Sequence, residues 1–368
     1  MSTAHHGLRV HLIGTGLIGT SLGIALSRKG FAVTLQDASP TSAALARDLG
    51  AGALVDRVPA DTDVVVVATP PDVTPQVLLD ALQAHRTATV TDVSSVKGSI
   101  LRALVDRGSD LRRYVGSHPM AGRERSGAVS ARFDLFEGRA WVLCPSAETD
   151  PERTAQVRRL AQAAGAAVTE LPPQEHDSAV AAVSHVPQLA ASVVAARLEE
   201  LPDTAVALAG QGLRDVTRIA ASDPQLWTQI LAGNAEAVGS VLDGVIDDLT
   251  AVRRALSDLE QEPGRTAVGS RHVLARTIAA GNAGHARIPG KHGAAPTAYA
   301  LVEVIVPDEP GALGRLLADM GEAGINLEEI RLDHGLGQPF GLAEVSVVPA
   351  SETPLRQELT ARGWRLQD

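Results

Sequence analysis

Apolar positions along this chain follow two rhythms. The run 8–13 is short and apolar, a glycine turn spans Gly14 to Gly19, and 21–28 repeats its apolar residues at helical spacing before Gly30. That order predicts strand, turn, helix. Positions 32–35 read as a second strand. Within 63–68, Val64 to Val67 form the continuous apolar run that a parallel strand covered on both faces requires, and 89–93 reads as another strand. Helical stretches at 42–49, 74–84 and 97–107 alternate with these strands. The pattern predicts a Rossmann-type, doubly wound α/β domain over residues 1–172.

Beyond residue 172 the rhythm changes. Alanine-rich segments with helical spacing, such as 190–200 and 238–259, predict an all-helical domain over 173–262. The stretch 263–297 is rich in glycine, proline and basic residues with little periodicity, and reads as a linker. A strand at 299–306, a turn at 307–311, a helix at 312–323 and two further strand-like segments predict a small α+β domain over 298–368.

Composition narrows the function classes. The chain has 368 residues, 45% of them hydrophobic and 21% charged. No apolar run reaches the roughly 20 residues of a membrane span, and segment 1–6 has no basic region leading into an apolar stretch. A net charge of −10 disfavours nucleic-acid and membrane-surface partners, which need concentrated positive charge. With Cys144 as the one cysteine, neither a disulfide framework nor a cysteine-rich metal site is available, and a cytoplasmic setting is expected. No metal site is expected.

The pattern Gly14-x-Gly16-x-x-Gly19, with Leu17 and Ile18 between its last two glycines, sits between a predicted strand and helix. Such glycines let backbone N–H groups approach a pyrophosphate at a helix N-terminus. Asp37, at the end of the second strand, is placed to bond ribose hydroxyls and would repel a 2′-phosphate, so NAD is expected over NADP. Thr69 and Pro70, following the valine strand, would close over the cofactor. Ser94-Ser95-x-Lys97, Ser117-His118-Pro119 and Ser126-Gly127 all follow predicted strands, on the edge where open α/β sheets bind ligands. Histidine there can take a hydroxyl proton near neutral pH, although a lone histidine can equally be structural and Ser95 an N-cap. In the helical domain, His176-Asp177, Ser184-His185-Val186-Pro187-Gln188 and Arg214-Asp215-x-x-Arg218 stand out. Arginines four apart share a helix face and can fork onto a carboxylate, or one can merely pair with Asp215.

Together, the glycine turn, Ser94 to Lys97, His118-Pro119-Met120-Ala121-Gly122, Ser184-His185-x-Pro187, Arg214-Asp215-x-x-Arg218-Ile219-Ala220 and Ser222-Asp223-Pro224 resemble the prephenate dehydrogenase family in order and spacing. The resemblance implies oxidative decarboxylation of prephenate, or of the related arogenate, with NAD. In that likeness His118 accepts the substrate's ring-hydroxyl proton and Ser95 orients it. Arg218 grips a carboxylate, while Arg214, His185, Gln188 and Ser126 contribute to the substrate site. Gln188 departs from a histidine common in the family, which leaves the choice between prephenate and arogenate open. The family also implies a homodimer formed through the helical domain. Residues 298–368 resemble an ACT domain, a ferredoxin-like βαββαβ unit. There Asp308, Gly311, Ala312, Leu313 and Asn326 would bind a tyrosine or phenylalanine effector. Of two rival readings, a β-hydroxyacid dehydrogenase usually relies on a lysine in the helical domain, whereas Lys29, Lys97 and Lys291 all lie elsewhere. The other, a non-catalytic sensor, leaves His118, Ser95 and the arginines without a purpose.

Overall fold

The computed structural model describes residues 7–57, 59–122, 127–261, 268–288, 299–334 and 339–367. The chain divides into two compact units, 1–246 and 247–368. In the first, strands β1 (Arg9–Ile13), β2 (Ala32–Gln36), β3 (Ala53–Leu54), β4 (Val64–Val67), β5 (Thr89–Asp92), β6 (Tyr114–Pro119), β7 (Ala140–Pro145) and β8 (Ala167–Glu170) form one sheet. Their order is β3-β2-β1-β4-β5-β6-β7-β8, parallel except that β7 runs antiparallel to β6. Helices α1 (Leu17–Arg28), α2 (Pro40–Asp48), α3 (Thr74–Ala84), α4 (Gly98–Asp106) and α5 (Pro151–Ala163) connect the strands. All four valines of β4 are buried, as a strand covered on both faces requires.

Two details depart from the sequence pattern. Helix α1 begins at Leu17, earlier than its apolar spacing suggests, because Gly19 serves as a helix residue packed against the turn as well as a turn signal. The antiparallel β7 and the β8 after it extend the sheet past the sixth strand of the doubly wound order.

Helical elements follow directly on the sheet: α6 (Pro173–Val180), a π-helical segment Ala181–His185, α7 (Val186–Ala196), α8 (Asp203–Val206), α9 (Gln211–Thr217), α10 (Pro224–Gly233) and α11 (Ala235–Gln261). Helix α6 packs on α4 and β7 within the first unit. The continuous helix Pro173–Ala196 is long and apolar enough to cross a membrane by length and composition, which the run of side chains had not suggested. It carries His176, Asp177, His185 and Gln188, all buried in hydrogen bonds with the rest of the unit, and such groups are expensive in hydrocarbon.

The stretch 263–297, read as a linker, contains helix α12 (Val268–His285). Its alanines, arginines and leucine favour a helix intrinsically, but its faces are mostly exposed, so no apolar stripe announced it. The rest of the second unit runs β9 (Ala300–Pro307), α13 (Ala312–Glu322), β10 (Glu329–His334), β11 (Phe340–Val347), α14 (Pro349–Ala361) and β12 (Arg365–Gln367). The strands form an antiparallel sheet in the order β10-β11-β9-β12. Alternate residues of β9 and β11, among them Val302, Val304, Ala343 and Val345, pack with Leu316, Met320, Leu355 and Leu359 of the two helices.

Candidate functional site

The C-terminal ends of β1, β4, β5 and β6 share one edge of the sheet, and the candidate residues gather there. The turn after β1 owes its shape to contact distances. Gly14 has φ +102°, and a Cβ on it would lie 2.4 Å from the Ala68 carbonyl oxygen; a Cβ on Gly19 would lie 2.0 Å from that of Gly14. Only glycine fits at either position. Around Gly16, by contrast, nothing lies within 4 Å. Gly16 is the exposed N-cap of α1 and provides no side-chain cap, so the first N–H groups of the helix that Leu17, Ile18 and Gly19 begin have no capping side chain. Those observations fit a dinucleotide pyrophosphate at that point. Asp37 Oδ2 accepts from Thr15 N at 2.6 Å and Thr15 Oγ1 at 2.8 Å, and its Oδ1 accepts from Ser39 N at 2.7 Å. The acid thus ties the end of β2 to the glycine turn as well as placing its charge beside it. Thr69, after β4, is hydrogen-bonded to the buried Thr74 at 2.9 Å, and Pro70 is exposed next to it.

After β5 the serine–lysine motif folds around Asp92, which is wholly buried. Asp92 accepts from Lys97 Nζ, from Ser94 N at 2.9 Å and from Tyr114 Oη at 2.7 Å. Lys97 Nζ also donates to the Ser117 carbonyl at 2.8 Å, one residue before His118. Lys97 is thus a buried strut between β5 and β6. Ser95 is half-buried in the same loop and does not cap α4, whose N-cap is Lys97.

The capping group comes from α6. Asp177 Oδ1 accepts from Lys97 N at 2.9 Å and Oδ2 from Gly98 N at 2.7 Å. Its Oδ1 also meets His176 Nδ1 at 2.8 Å, and His176 Nε2 lies 2.9 Å from His118 Nδ1. All three side chains are at least nine-tenths buried. Burial raises the Asp177 pKa, but the His176 bond and the two backbone N–H groups outweigh it and hold the carboxyl below its ordinary value. His118 is pushed well below the ordinary histidine value, first by burial and then by the fields of His176, Lys97 and His185. It is neutral at physiological pH and can accept a proton.

His185 is buried on the π-helical segment and hydrogen-bonded to Asn234 Nδ2 at 3.2 Å; burial depresses its pKa to about 4. Asn234 also donates to the Asp177 carbonyl at 2.8 Å, joining His185 to the same polar cluster. Gln188 is buried, and its Oε1 accepts from Ser222 Oγ at 3.4 Å. Arg214 and Arg218 are exposed; α9 ends at Thr217, so Arg218 opens a separate 3-10 turn instead of sharing the helix with Arg214. Asp215 Oδ1 accepts from Gln211 Nε2 at 2.9 Å. Ser126 lies outside the described residues. In the second unit Asp308 and Asn326 are exposed, and Gly311, at φ +87°, caps α13, which opens with Ala312 and Leu313. Residues 173 onward gave no sign that His176 and Asp177 meet His118, because the contact spans 58 positions. Among the described residues no histidine, cysteine and carboxylate cluster could hold a metal ion.

This fold and site define a class: dinucleotide-binding oxidoreductases with a sheet domain, a helical domain and a neutral histidine at the cofactor edge. Residues 22–170 match the prephenate dehydrogenase nucleotide-binding domain and residues 172–266 the prephenate dehydrogenase dimerization domain. The chain is 36% identical to a probable prephenate dehydrogenase, NovF, of Streptomyces niveus, over 96% of this chain and 98% of that protein. It is 30% identical to a prephenate dehydrogenase of Bacillus subtilis, over 87% of each. Among solved structures, prephenate dehydrogenase from A. aeolicus in complex with hydroxyphenyl propionate and NAD+ is 28% identical, with TM-score 0.63, over 75% of this chain and all of that one. Synechocystis arogenate dehydrogenase is 26% identical with TM-score 0.62, over 75% and 99%. The chain belongs to the prephenate dehydrogenase family.

Proposed function

We propose that this protein oxidises prephenate with NAD, giving 4-hydroxyphenylpyruvate, carbon dioxide and NADH. The observation that carries the reading is His118: a buried, neutral histidine at the cofactor edge, bonded through Nδ1 and leaving Nε2 with no partner among the described residues. Bound NAD supplies the hydride acceptor. His118 Nε2 takes the proton of the ring hydroxyl as the carbinol hydrogen leaves as hydride, and Ser95 orients that hydroxyl. The bond from the ring to its carboxylate then breaks, its electron pair makes the ring aromatic, and carbon dioxide departs. The phenolate recovers the proton from His118. Arg218 receives a substrate carboxylate, with Arg214, His185, Gln188 and Ser126 around the rest. Asp37, Thr69 and Pro70 face the cofactor with Gly14 to Gly19.

Purified protein, NAD and either prephenate or arogenate, followed by NADH absorbance, test the reading. Turnover of prephenate is expected; no NADH from either substrate would remove it. A preference for arogenate is favoured by one observation, the neutral amide of Gln188 bonded to Ser222 near His185, and would make Gln188 the discriminating residue. Two copies pair through the helical domain; the match to a dimerization domain and the exposed Val183, Val193, Leu208 and Val216 support this. The βαββαβ order of the second unit supports an ACT-like, ferredoxin-like reading, with Asp308, Gly311, Ala312, Leu313 and Asn326 at an effector site for tyrosine or phenylalanine. Repeating the assay with added tyrosine tests that role, and unchanged kinetics would count against it.

A further inference from the structure

Asp177 is held by three donors at once: two backbone N–H groups at the start of α4 and the Nδ1 side of His176. A carboxylate so surrounded acts only as an acceptor, and the N-terminus of α4 favours its negative charge. His176 therefore carries its proton on Nδ1. In the neutral ring its Nε2 is then a lone pair aimed at His118 Nδ1, 2.9 Å away, and accepts. The reverse polarity, with the proton on His176 Nε2, would leave Asp177 without its third donor and put a proton on His118 Nε2. We infer that His176 and Asp177 are positioning residues that lock His118 in the tautomer with Nδ1 protonated, presenting the Nε2 lone pair to the substrate hydroxyl.

The inference rests on the proposed role of His118 and adds a consequence to it. When His118 takes the proton, its Nδ1–H keeps an acceptor, so the imidazolium is stabilised without rearrangement. The groups facing His118 are His176, Lys97 and His185. Lys97 is neutralised by Asp92, and His185 is tied to Asn234, so His176 is the neighbour that bonds the ring. Because Asp177 also caps α4, one carboxylate fixes both the tautomer of His118 and the helix start that follows the Ser95 loop.

The test reads the tautomer directly. Long-range proton–nitrogen spectra of histidine-labelled, NAD-loaded protein, with His118 assigned by its loss in His118→Asn, should show Nδ1 protonated and Nε2 bare. His176→Leu should abolish the single tautomer and lower kcat about 10²-fold, by analogy with a general base held in the wrong tautomer. KM and NAD affinity should stay as they were, which a merely structural role would not spare. His176→Gln, whose amide oxygen can accept from Nδ1–H, should recover much of the loss. A protonated Nε2 in the unaltered protein, or a leucine variant with unchanged tautomer and kcat, overturns the inference. The spectrum of the unaltered protein decides even where a variant fails to fold. Failure of both substrates to react would defeat the functional reading instead, leaving the tautomer result to stand alone.

Discussion

Burying a histidine without its charge makes a protein sensitive to acid. His11 lies at the centre of β1, fully buried, bonded to Thr34 Oγ1 at 2.8 Å and Gln36 Oε1 at 3.3 Å, and burial lowers its pKa to about 4. His185 is depressed to about 4 as well. For both, the unfolded chain binds a proton at the ordinary value near 6.5 while the folded protein does not. Stability is therefore complete above that value and declines as pH falls towards 4, by about 3 kcal/mol per group. Urea unfolding across this window should show the decline, and His11→Val should flatten it; an equal slope in the variant would exclude His11 as a source. Catalysis should follow the same logic at His118. Since its proton affinity is lowered, kcat/KM should stay level as pH falls through 6.5 and drop only in more acid solution. A limb centred at or above 6.5 would contradict a buried neutral base. Lys97 belongs to this scale too. With Lys97 and Asp92 both essentially without exposure, Lys97→Met leaves an unpaired buried carboxylate and should cost about 3–5 kcal/mol of stability, readable as a fall in Tm.

At the scale of elements, the helix Pro173–Ala196 places two groups of site residues on one rod. The π-helical turn Ala181–His185 follows His176 and Asp177, ends on His185 and precedes Gln188. Each residue advances a helix by about 100°, so a widened turn changes which side chains face the sheet edge. Deleting Ala182 should restore regular α-helix and rotate His185 and Gln188 away from Asn234 and Ser222. Helix content by circular dichroism and NAD affinity should persist, while KM for the substrate rises strongly; unchanged kinetics would show that the π-turn has no part in the site. The sequence offered His185 and Gln188 as candidates but not this turn, since alanine and valine run through it with ordinary helical spacing. Helix α12 was hidden for the opposite reason: it has the propensity without the apolar stripe.

At the scale of the molecule, the helical elements leave Val183 at 69%, Val193 at 63% and Leu208 at 85% exposure in a single chain, more apolar surface than a solitary unit would keep. Sedimentation should give about twice the 38.2 kDa chain mass, and Val193→Glu should shift it towards the monomer. A monomeric unaltered protein would remove the pairing.

Local chemistry was enough to write the strand, glycine turn and helix at the start of the chain, the valine strand and the β9 to α13 segment, because each depends on residues close in sequence, whereas His118 stood out as a candidate base only through motifs spread along the chain. Glycine at 14 and 19 is forced by backbone contacts within one turn and its neighbouring strand. What only the tertiary structure decided lies at long range. It made Lys97 a strut on Asp92 and sent Asp177 across 80 positions to cap α4. It also set His176 against His118, so that the acceptor side of the ring follows from a chain of hydrogen bonds. Hydrophobic spacing records which face of an element is buried; it carries no record of which buried polar groups will meet, because that depends on how separate elements pack.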